Sequence, residues 1–294
     1  MRITVRVPAT SANLGPGFDC FGLALDLCNE VIVDTEAEPG VSWEGEGARE
    51  LPTDGTDMVS RAIVHTVDLQ KRIHPGADVP AFRLQGLNRI PLERGMGSSS
   101  SAAVAGVVLA RTLLGPAGFD DPFTTFAYAS ELEGHPDNAA PATYGGLTVF
   151  ASGSVHRLDP HPDLDPVVLV PERLRLATGE ARSALASTVD RQDAVFNIGH
   201  AALAVVALTE GDLDLLFVAL HDRLHESVRG AMIPEVADLL DDLRHHQFAA
   251  CLSGAGPSIL AFERDGRVVG ELPDGWRVIR PGVRASGVEV DVEG

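Results

Sequence analysis

A glycine- and serine-rich stretch precedes a long apolar segment near the middle of the chain. It reads "PLERGMGSSSS" from Pro91 to Ser101, called the glycine loop below, and a helical pattern extends from Ser98 to Leu114. Glycine lets a backbone approach a ligand closely, and serine is favoured where a helix begins. The first turn of a helix offers unpaired N–H donors and a positive dipole end. The stretch is therefore either an anion-binding loop or a flexible loop capped onto a core helix.

Two common phosphate-binding patterns do not fit this stretch. The Walker A loop needs a Gly-Lys pair, and the sequence contains none, since Lys71 is its only lysine. The dinucleotide fingerprint G-x-G-x-x-G fails because serines follow Gly95 and Gly97. With a net charge of -19, the whole chain repels anions. Backbone N–H groups and the N-terminal end of a helix would therefore have to bind a phosphate.

Composition narrows the class of protein. At 294 residues with 45% hydrophobic residues, the chain is long enough for two globular domains. The acidic charge argues against nucleic-acid binding, which needs basic patches. Cys20, Cys28 and Cys251 lack C-x-x-C spacing, which favours a reducing compartment. The N-terminus shows no signal-peptide pattern, and the apolar runs are shorter than about 20 residues. We expect a cytoplasmic protein with no membrane and no nucleic-acid partner.

Strand and helix patterns alternate along both halves of the chain. "RITVRV" and "VIVDTE" read as strands, whereas "DMVSRAIVHTVDLQKR" and "PEVADLLDDLRHH" carry helical spacing. This alternation predicts a mixed α and β protein. The stretch "SGSVHRLDPHPDLDP" is rich in proline, aspartate and glycine, which is typical of a domain boundary. We predict one domain over residues 1–155 and a second over residues 156–294.

Two further stretches carry glycines and small polar residues near the ends of the chain. They are "PATSANLGPGFD" (Pro8 to Asp19), called the first loop, and "CLSGAGPSI" (Cys251 to Ile259), called the third loop. With the glycine loop, they resemble in order and spacing the three signature motifs of the GHMP kinases. The resemblance implies a two-domain α+β GHMP kinase fold: an ATP-binding N-terminal domain like ribosomal protein S5 domain 2, and a ferredoxin-like C-terminal domain. It also implies that the third loop packs near the glycine loop.

Three more segments resemble those of the homoserine kinase family within this superfamily. They are "ELEGHPDNAAPATYGGL" (Glu131 to Leu147), "ATGEAR" (Ala177 to Arg182) and "HDRLHESVR" (His221 to Arg229). The resemblance implies ATP-dependent phosphorylation of the L-homoserine hydroxyl to O-phospho-L-homoserine, a step of threonine biosynthesis, and a homodimer. Two alternatives stay open: another GHMP kinase with a different alcohol acceptor, and a catalytically silent member that only binds a ligand.

The resemblance also assigns residues to the acceptor site. Arg182 and Arg229 would hold the α-carboxylate, for which the planar guanidinium is suited. Asn13, Asp19 and His135 would contact the amino group and the hydroxyl. Asn13, Asp19 and Arg182 are also the expected catalytic residues. Since Lys71 lies outside the motifs and arginine does not act as a base, the hydroxyl proton is expected to leave late, to a γ-phosphate oxygen or through Asp19.

The nucleotide site is expected along the whole glycine loop. Its predicted ATP-binding residues are Pro91, Leu92, Glu93, Arg94, Gly95, Met96, Gly97, Ser98, Ser99, Ser100 and Ser101. The resemblance points to Mg²⁺ held by Ser99 and Glu131, since Mg²⁺ prefers few protein oxygens beside phosphate and water. Residues two apart do not share a helix face, so Glu133 is expected to be a solvated helix end. His221 and His225 are likewise expected to be solvated.

Overall fold

The computed structural model describes residues 1–115, 121–264 and 269–293. The strands in these ranges are β1 Arg2–Ala12, β2 Phe21–Asp34, β3 Gly40–Gly45, β4 Arg83–Asn88, β5 Leu147–Ala151, β6 Ser154–Leu158, β7 Asp165–Pro171, β8 Ala249–Leu252, β9 Ile259–Glu263, β10 Trp276–Ile279 and β11 Glu289–Glu293. The helices are α1 Met58–Lys71, α2 Ser98–Leu113, α3 Pro122–Glu133, α4 Pro136–Tyr144, α5 Thr178–Ser183, α6 Arg191–Glu210, α7 Leu213–Ala219, α8 Glu226–Met232 and α9 Pro234–His245.

The first sheet is built around the long antiparallel pair β1 and β2. Its order is β11-β1-β2-β4-β3, and β5 joins β2 and β6 at one end. β1 alternates, so Ile3, Val5 and Val7 are fully buried in the core that α1 and α2 cover. The pairing of β1 with β2 shifts register between Pro8 and Ala9. Beyond this shift, β1 continues to Ala12 and therefore includes the start of the first loop.

The second sheet has the order β10-β7-β9-β8, with every neighbouring pair antiparallel. Helices cover both of its faces. Val167 and Leu169 of β7 pack in the cluster that contains the apolar side of α9. Val168 and Val170, which point the other way, pack in the cluster that contains residues of α6 and α7. The third loop connects β8 and β9, so this sheet fixes its position.

The mixed α+β class predicted from the sequence is confirmed. The division after residue 155 stays a prediction, and the sheets add two facts that bear on it. β6 (Ser154–Leu158) still belongs to the first sheet, pairing with β5. The last described strand, β11, returns to pair with β1, with Arg2 opposite Glu293. The end of the chain therefore closes the N-terminal sheet rather than the C-terminal one.

By length and composition alone, one helix in the described ranges, α6, could cross a membrane. Its most apolar window has a mean hydropathy of 1.2 and is 22% buried. Ala204, Ala207 and Leu208 of its inner face are fully buried in the core of the second sheet. One such helix is weak evidence for a membrane span, because helices of soluble proteins also meet this criterion.

Candidate active site

The glycine loop enters α2 through two residues with left-handed backbone. Gly95 has φ of 70° and Gly97, the N-cap of α2, has φ of 67°. A Cβ at Gly95 would overlap the Ser253 carbonyl oxygen, and one at Gly97 would overlap the Thr10 hydroxyl. Both positions thus require glycine for conformation and for space. The close approach places the first turn of α2, with its free N–H donors, between the other two loops.

The third loop lies directly against the glycine loop, as the resemblance implies. Ser253 Oγ donates to the Gly95 carbonyl at 2.7 Å and lies 2.9 Å from Ser11 Oγ. The Gly254 N–H donates to the Ala12 carbonyl at 3.1 Å, which ties the third loop to the first. The fold therefore brings together three segments that are far apart in the sequence.

Two cavities of different character lie on either side of the glycine loop. The polar one, called the acceptor cleft below, is an open cleft of about 490 Å³ with the charged or titratable residues Asp19, Glu133, His135, Asp137, Arg182 and Arg229. Gly95, Gly97 and Ser100 of the glycine loop form one of its walls. The other, called the apolar pocket below, is about 400 Å³ and includes Val31, Trp43, Met58, Leu87, Leu92 and Ala102. Only Leu92, Ser98 and Ser101 of the glycine loop reach it.

Asn13 and Asp19 adopt left-handed backbone and support each other at the edge of the cleft. Their φ angles are 69° and 57°, a region that Asn and Asp tolerate better than most residues. The Asn13 side chain accepts from the Asp19 N–H at 2.9 Å and donates to the Gly254 carbonyl at 2.8 Å. Asn13 therefore braces the loop that presents Asp19, in addition to lining the cleft.

Arg182, on α5, reaches across the cleft from the C-terminal half. Its NH2 donates to Asp19 Oδ1 at 2.8 Å and lies 3.3 Å from His135 Nδ1. The Arg182 side chain is 45% exposed and that of Asp19 is 35% exposed, so an entering ligand can reach both. Burial, and then the positive charge of Arg182, lower the pKa of His135. A neutral imidazole beside the guanidinium leaves this wall with one cation and one hydrogen-bond acceptor.

Arg229 is the second cation of the cleft, and it is buried. Its NH1 donates to the Gly254 carbonyl and to His225 Nδ1, both at 3.1 Å, while its guanidinium carbon lies 5.3 Å from the centre of the Phe18 ring. Burial lowers the pKa of Arg229, whereas the nearby Asp19 raises it. Within the described ranges, Arg229 Nε has no hydrogen-bond partner. A buried guanidinium with an unpaired donor is well placed to bind an anion.

His225 is fully buried, so the prediction that it is solvated is wrong. Its Nε2 lies 2.9 Å from the Gly15 carbonyl, which can only accept, so Nε2 carries the proton. Its Nδ1 is then free to accept from Arg229. The ring also stacks on Phe18, with 5.1 Å between centroids. His225 therefore holds Arg229 in place, a role that i,i+4 spacing with His221 did not indicate.

Asp137 is a charged residue of the cleft that sequence reasoning did not single out. It lies in the first turn of α4 and is 4% exposed. Burial, and then the negative charge of Asp19, raise its pKa to about 6. Its Oδ1 has no hydrogen-bond partner in the part of the chain that the structure describes. Such a carboxylate is poised to accept a hydrogen bond from a cationic group.

The carboxylate that faces the glycine loop belongs to Glu133, so the expectation that Glu133 is a solvated helix end is wrong. Ser99 Oγ donates to Glu133 Oε1 at 2.6 Å, and Ser100 Oγ donates to Glu133 Oε2 at 2.9 Å. α3 ends at Glu133, and Gly134 terminates it with φ of 75°. Glu131 lies about 200° away around the helix and is exposed. A spacing of two residues does place the two glutamates on different faces of α3, and Glu133 is the one that faces the glycine loop.

Ser99 and Glu133 supply a hydroxyl and a carboxylate oxygen at the start of α2. This donor set fits Mg²⁺, which takes few protein ligands when phosphates and waters complete its shell. Within the described ranges, no group of three or more His, Cys, Asp or Glu residues could hold a metal ion by itself. The arrangement therefore suits a metal that arrives with a phosphate ligand.

Comparison with known proteins agrees with this geometry. Residues 58–146 match the family model described as GHMP kinases N terminal domain, and residues 204–272 match GHMP kinases C terminal. The homoserine kinase of Leifsonia xyli is 45% identical over 269 residues, covering 90% of this chain and 81% of that protein. The homoserine kinase of Rhodococcus erythropolis is 41% identical, covering 99% and 96%. The chain belongs to the homoserine kinase family.

A solved structure extends the likeness to the whole fold. The crystal structure of homoserine kinase from Cytophaga hutchinsonii superposes with a TM-score of 0.81 at 25% identity, covering 99% of this chain and 97% of that one. The predicted GHMP kinase fold and the resemblance to the homoserine kinase family are both confirmed. The chain is thus a kinase, an enzyme that transfers phosphoryl groups, and membership of this family implies ATP and a small-molecule acceptor.

In this member of the homoserine kinase family, different residues of the glycine loop line different cavities. Leu92 lines the apolar pocket, and Gly95, Gly97 and Ser100 line the cleft. Arg94, a predicted ATP contact, is buried and donates from Nε to the Pro171 carbonyl at 2.7 Å. Its other nitrogens donate to the carbonyls of Leu92 and Glu172. The Arg94 guanidinium therefore anchors the loop to β7, and the ATP contact predicted for Arg94 stays a prediction.

The remaining loop residues have varied surroundings. Glu93 is exposed, with φ of 54°, and lies 3.5 Å from Arg175 in an ion pair. Pro91 and Met96 are buried, and the Met96 carbonyl accepts from the Thr10 N–H at 3.1 Å. These three therefore shape the loop, and the ATP contacts predicted for them stay predictions.

Lys71 and Arg6 both lie away from the cleft. Lys71 is the last residue of α1 and is exposed. Arg6 pairs with Glu30 and with Asp291, each at 2.9 Å, on the first sheet. Neither residue lines the acceptor cleft. The carboxylates and imidazole of the cleft itself are therefore the groups available to handle a proton.

Proposed function

We propose that this enzyme transfers the γ-phosphoryl group of ATP to the side-chain hydroxyl of L-homoserine, forming O-phospho-L-homoserine. The observation that carries the proposal is the acceptor cleft, which combines two arginines with three carboxylates and has the glycine loop as one wall. A zwitterionic amino acid needs both signs of charge in one site. Its hydroxyl must also lie beside the nucleotide phosphates.

The two arginines are proposed to bind the α-carboxylate of homoserine. Arg182 is exposed and can turn towards a ligand, whereas Arg229 is held by His225 and Gly254. One mobile and one fixed guanidinium would clamp the carboxylate from two sides. The buried, unpaired Arg229 Nε gives this contact its strength, because an ion pair gains energy where water is excluded.

The amino group is proposed to lie at Asp137, with His135 as a second acceptor. Asp137 is buried with one unpaired oxygen, so an ammonium group would satisfy it and would favour its ionised form. The lowered pKa of His135 keeps its imidazole neutral near pH 7, when it can accept a hydrogen bond. Asn13 and Asp19 remain proposed contacts of the hydroxyl.

ATP is proposed to lie across the glycine loop, with its adenine in the apolar pocket and its phosphates at the start of α2. Trp43, Met58 and Leu87 offer an apolar surface to a base, and Ser98 and Ser101 link this pocket to the loop. The N–H groups of the first turn of α2 would bind the phosphates, as the lack of a loop lysine requires. ATP would then occupy the apolar pocket while homoserine occupies the acceptor cleft during the phosphoryl transfer.

Mg²⁺ is proposed to be held by Ser99 and Glu133. The metal supplies neutralisation of the charge on the β- and γ-phosphates. The protein residues do the positioning: Glu133 already accepts from both Ser99 and Ser100, so the two helices α2 and α3 meet where the phosphates would lie. Ser99 would contribute a hydroxyl oxygen to the metal, and Glu133 would contribute a carboxylate oxygen.

The proton of the homoserine hydroxyl is proposed to leave late in the transfer. Asp19 is paired with Arg182 in this structure, so its Oδ1 is occupied by the guanidinium. When the substrate carboxylate takes over Arg182, Asp19 is released to accept from the hydroxyl or to orient it. Phosphoryl transfer depends mainly on positioning and charge neutralisation, so a strong base is not required.

The cellular setting is also a proposal. The reaction is proposed to be a step of threonine biosynthesis in the cytoplasm. The three cysteines lack C-x-x-C spacing, which agrees with a reducing compartment. A homodimer is proposed from the family resemblance.

The experiment is a coupled assay of ADP release by the purified full chain. L-Homoserine should stimulate ADP release many-fold with Mg²⁺ present and very little after its removal with EDTA, because the γ-phosphate charge is then not neutralised. Mevalonate is the contrasting alcohol, since it lacks the amino group that Asp137 would bind. Equal stimulation by mevalonate would contradict the acceptor assignment, and no ADP release with any alcohol would contradict the kinase proposal.

A further inference from the structure

The outer face of α6 carries an apolar stripe that the rest of the described chain leaves exposed. Its members, called the outer stripe below, are Val195, Ile198, Gly199, Ala202, Leu203 and Val206. The spacing of three and four residues places them on one helix face. Ile198 is 71% exposed and Val195 is 63% exposed. Between Ala194 and Thr209 the helix contains no Asp, Glu, Lys or Arg, although the chain carries a net charge of -19.

Gly199 lies in the middle of the outer stripe, at a position where no contact within the described part of one chain requires glycine. Glycine weakens a helix interior, since it loses more conformational freedom than other residues. A Cβ built at Gly199 would meet nothing within 4 Å, and the residue is exposed. The fold of one chain therefore does not require glycine here. Another helix approaching closely would require a small residue at this point.

The outer stripe has the same arrangement in both directions along the helix. Counted from the midpoint of α6, between residues 200 and 201, the paired positions are Val195 with Val206, Ile198 with Leu203, and Gly199 with Ala202. A contact about a two-fold axis pairs each position with its mirror on the other copy. Two antiparallel α6 helices would thus place valine against valine, a large side chain against a large one, and small against small.

The charges at the ends of α6 fit the same arrangement. Arg191 and Glu210, both exposed, are also at equal distances from the midpoint of the helix. In an antiparallel pair, Arg191 of one copy lies beside Glu210 of the other, on both sides of the axis. Two acidic chains repel each other over most of their surfaces. Contact is favourable on an uncharged face whose ends carry opposite charges.

We infer that the outer stripe of α6 is the contact surface of a homodimer, in which the α6 helices of two copies pack antiparallel about a two-fold axis. This inference rests on the homodimer proposed above and is independent of the kinase activity. Gly199 faces the partner's Ala202, which brings the two backbones close together. Val195 and Ile198 lie against the partner's Val206 and the partner's Leu203.

The first test is sedimentation of the full chain over roughly 1 to 100 µM. The wild-type chain should sediment as a dimer, at twice the 31.0 kDa of one chain. Ile198→Asp should sediment as a monomer. Val64→Asp is the matched control, because Val64 on α1 is 59% exposed and lies outside the outer stripe. Thermal unfolding of both variants shows whether each remains folded.

A second variant separates the interface from the stability of the monomer. Gly199→Leu fills open space in one chain, so the thermal stability of the monomer should stay equal or rise. In the dimer, the same side chain would collide with the partner helix and raise the dissociation constant by roughly tenfold or more. A structural role for Gly199 within the monomer would instead lower thermal stability.

Charge exchange tests the antiparallel orientation. Arg191→Glu and Glu210→Arg should each weaken the dimer by a few-fold, and the double variant should restore it, because the pair is re-formed with reversed sign. Within one helix these residues are about 29 Å apart, so restoration can only arise between chains.

Three outcomes would overturn the inference, and each is distinct. A wild-type chain that stays monomeric contradicts the homodimer itself. A dimer that withstands Ile198→Asp and Gly199→Leu contradicts this surface but leaves the homodimer standing. A monomer that binds phosphatidylcholine vesicles, with binding lost in Ile198→Asp, assigns the outer stripe to a lipid surface instead. ADP release is measured on the same samples, so failure of the kinase proposal is seen separately.

Discussion

The acceptor cleft and the apolar pocket share the glycine loop but are built in opposite ways. The cleft takes charged side chains from both halves of the chain, including Asp137 of α4 and Arg182 of α5. The apolar pocket is lined by residues of the first half, including Val31 and Trp43. The cleft can therefore discriminate between acceptors by charge. The pocket offers shape and apolar surface, which a nucleotide base shares with many flat ligands.

This contrast predicts different sensitivities to substitution. Buried charges act through specific pairs, so loss of one partner is costly. Apolar contacts are spread over many atoms, each contributing little. Substitutions in the cleft should thus change homoserine kinetics strongly, and substitutions in the pocket should change ATP binding modestly.

The largest effect is expected at Arg229. Arg229→Lys keeps the charge but removes the fork that contacts His225 and Gly254, so kcat/KM for homoserine should fall by about 1,000-fold, or about 4 kcal/mol. ATP affinity, measured by calorimetry, should change little. Arg72→Lys is the matched control because Arg72 is an exposed residue at the end of α1. An Arg229→Lys enzyme with normal homoserine kinetics would contradict the carboxylate site.

Asp137 should show opposite effects on activity and on stability. Asp137→Asn should lower kcat/KM for homoserine by roughly 100-fold, because the amino group loses its ionised partner. The pKa of Asp137 is raised to about 6, so its contribution to stability is full at pH below 3.8 and is lost as pH rises through 6. At about pH 8 the variant should be more stable than the wild type, by on the order of 3 kcal/mol.

The same raised pKa gives a pH dependence of homoserine binding. As pH falls below about 6, Asp137 becomes protonated and no longer offers a negative charge to the ammonium group, so KM for homoserine should rise. The Asp137→Asn variant should lack this rise. Asp68→Asn, at an exposed position on α1, is the matched control and should keep it.

The two glutamates of α3 provide a smaller and more selective test. Glu133→Gln should weaken the apparent affinity for Mg²⁺ by about 10- to 100-fold in the ADP assay, since Glu133 contacts both Ser99 and Ser100. Glu131→Gln, two residues away and exposed, should leave it within about two-fold. Equal effects of the two changes would remove Glu133 from the proposed metal site.

The smallest effect is expected in the apolar pocket. Ala102→Leu adds bulk from the second turn of α2 to a cavity of about 400 Å³. ATP affinity should fall by about 5- to 10-fold, because part of the space for the base is lost. Homoserine binding, measured separately by calorimetry, should not change. A larger effect on homoserine than on ATP would mean that the roles of the two cavities are reversed.

The sequence predicts much of this site because its loops carry local signals. Gly95 and Gly97 are needed for left-handed backbone, and the three loops appear in an order that already indicates the family. The first loop, with Asn13 and Asp19, and the two arginines do converge on one cleft. The roles assigned to these residues in binding and catalysis remain predictions that the substitutions above test.

The errors come from contacts that only tertiary packing decides. Whether Glu131 or Glu133 faces the glycine loop depends on the angle at which α3 meets α2, which spacing along one helix does not give. His225 was expected in solvent because its burial depends on Gly15 and Phe18, which are far away in sequence. Asp137 stood within a quoted motif, but its raised pKa follows from burial and from its neighbour Asp19.

The acceptor cleft is proposed to recognise both charges of homoserine. The decisive measurement is kcat/KM for L-homoserine, for homoserinol, which lacks the carboxylate, and for 4-hydroxybutanoate, which lacks the amino group. Because Arg229 and Asp137 are buried, each missing partner leaves a charge unpaired, and L-homoserine should be preferred by at least about 100-fold over either analogue. Similar values for the three alcohols would contradict recognition of the carboxylate and the amino group by this cleft.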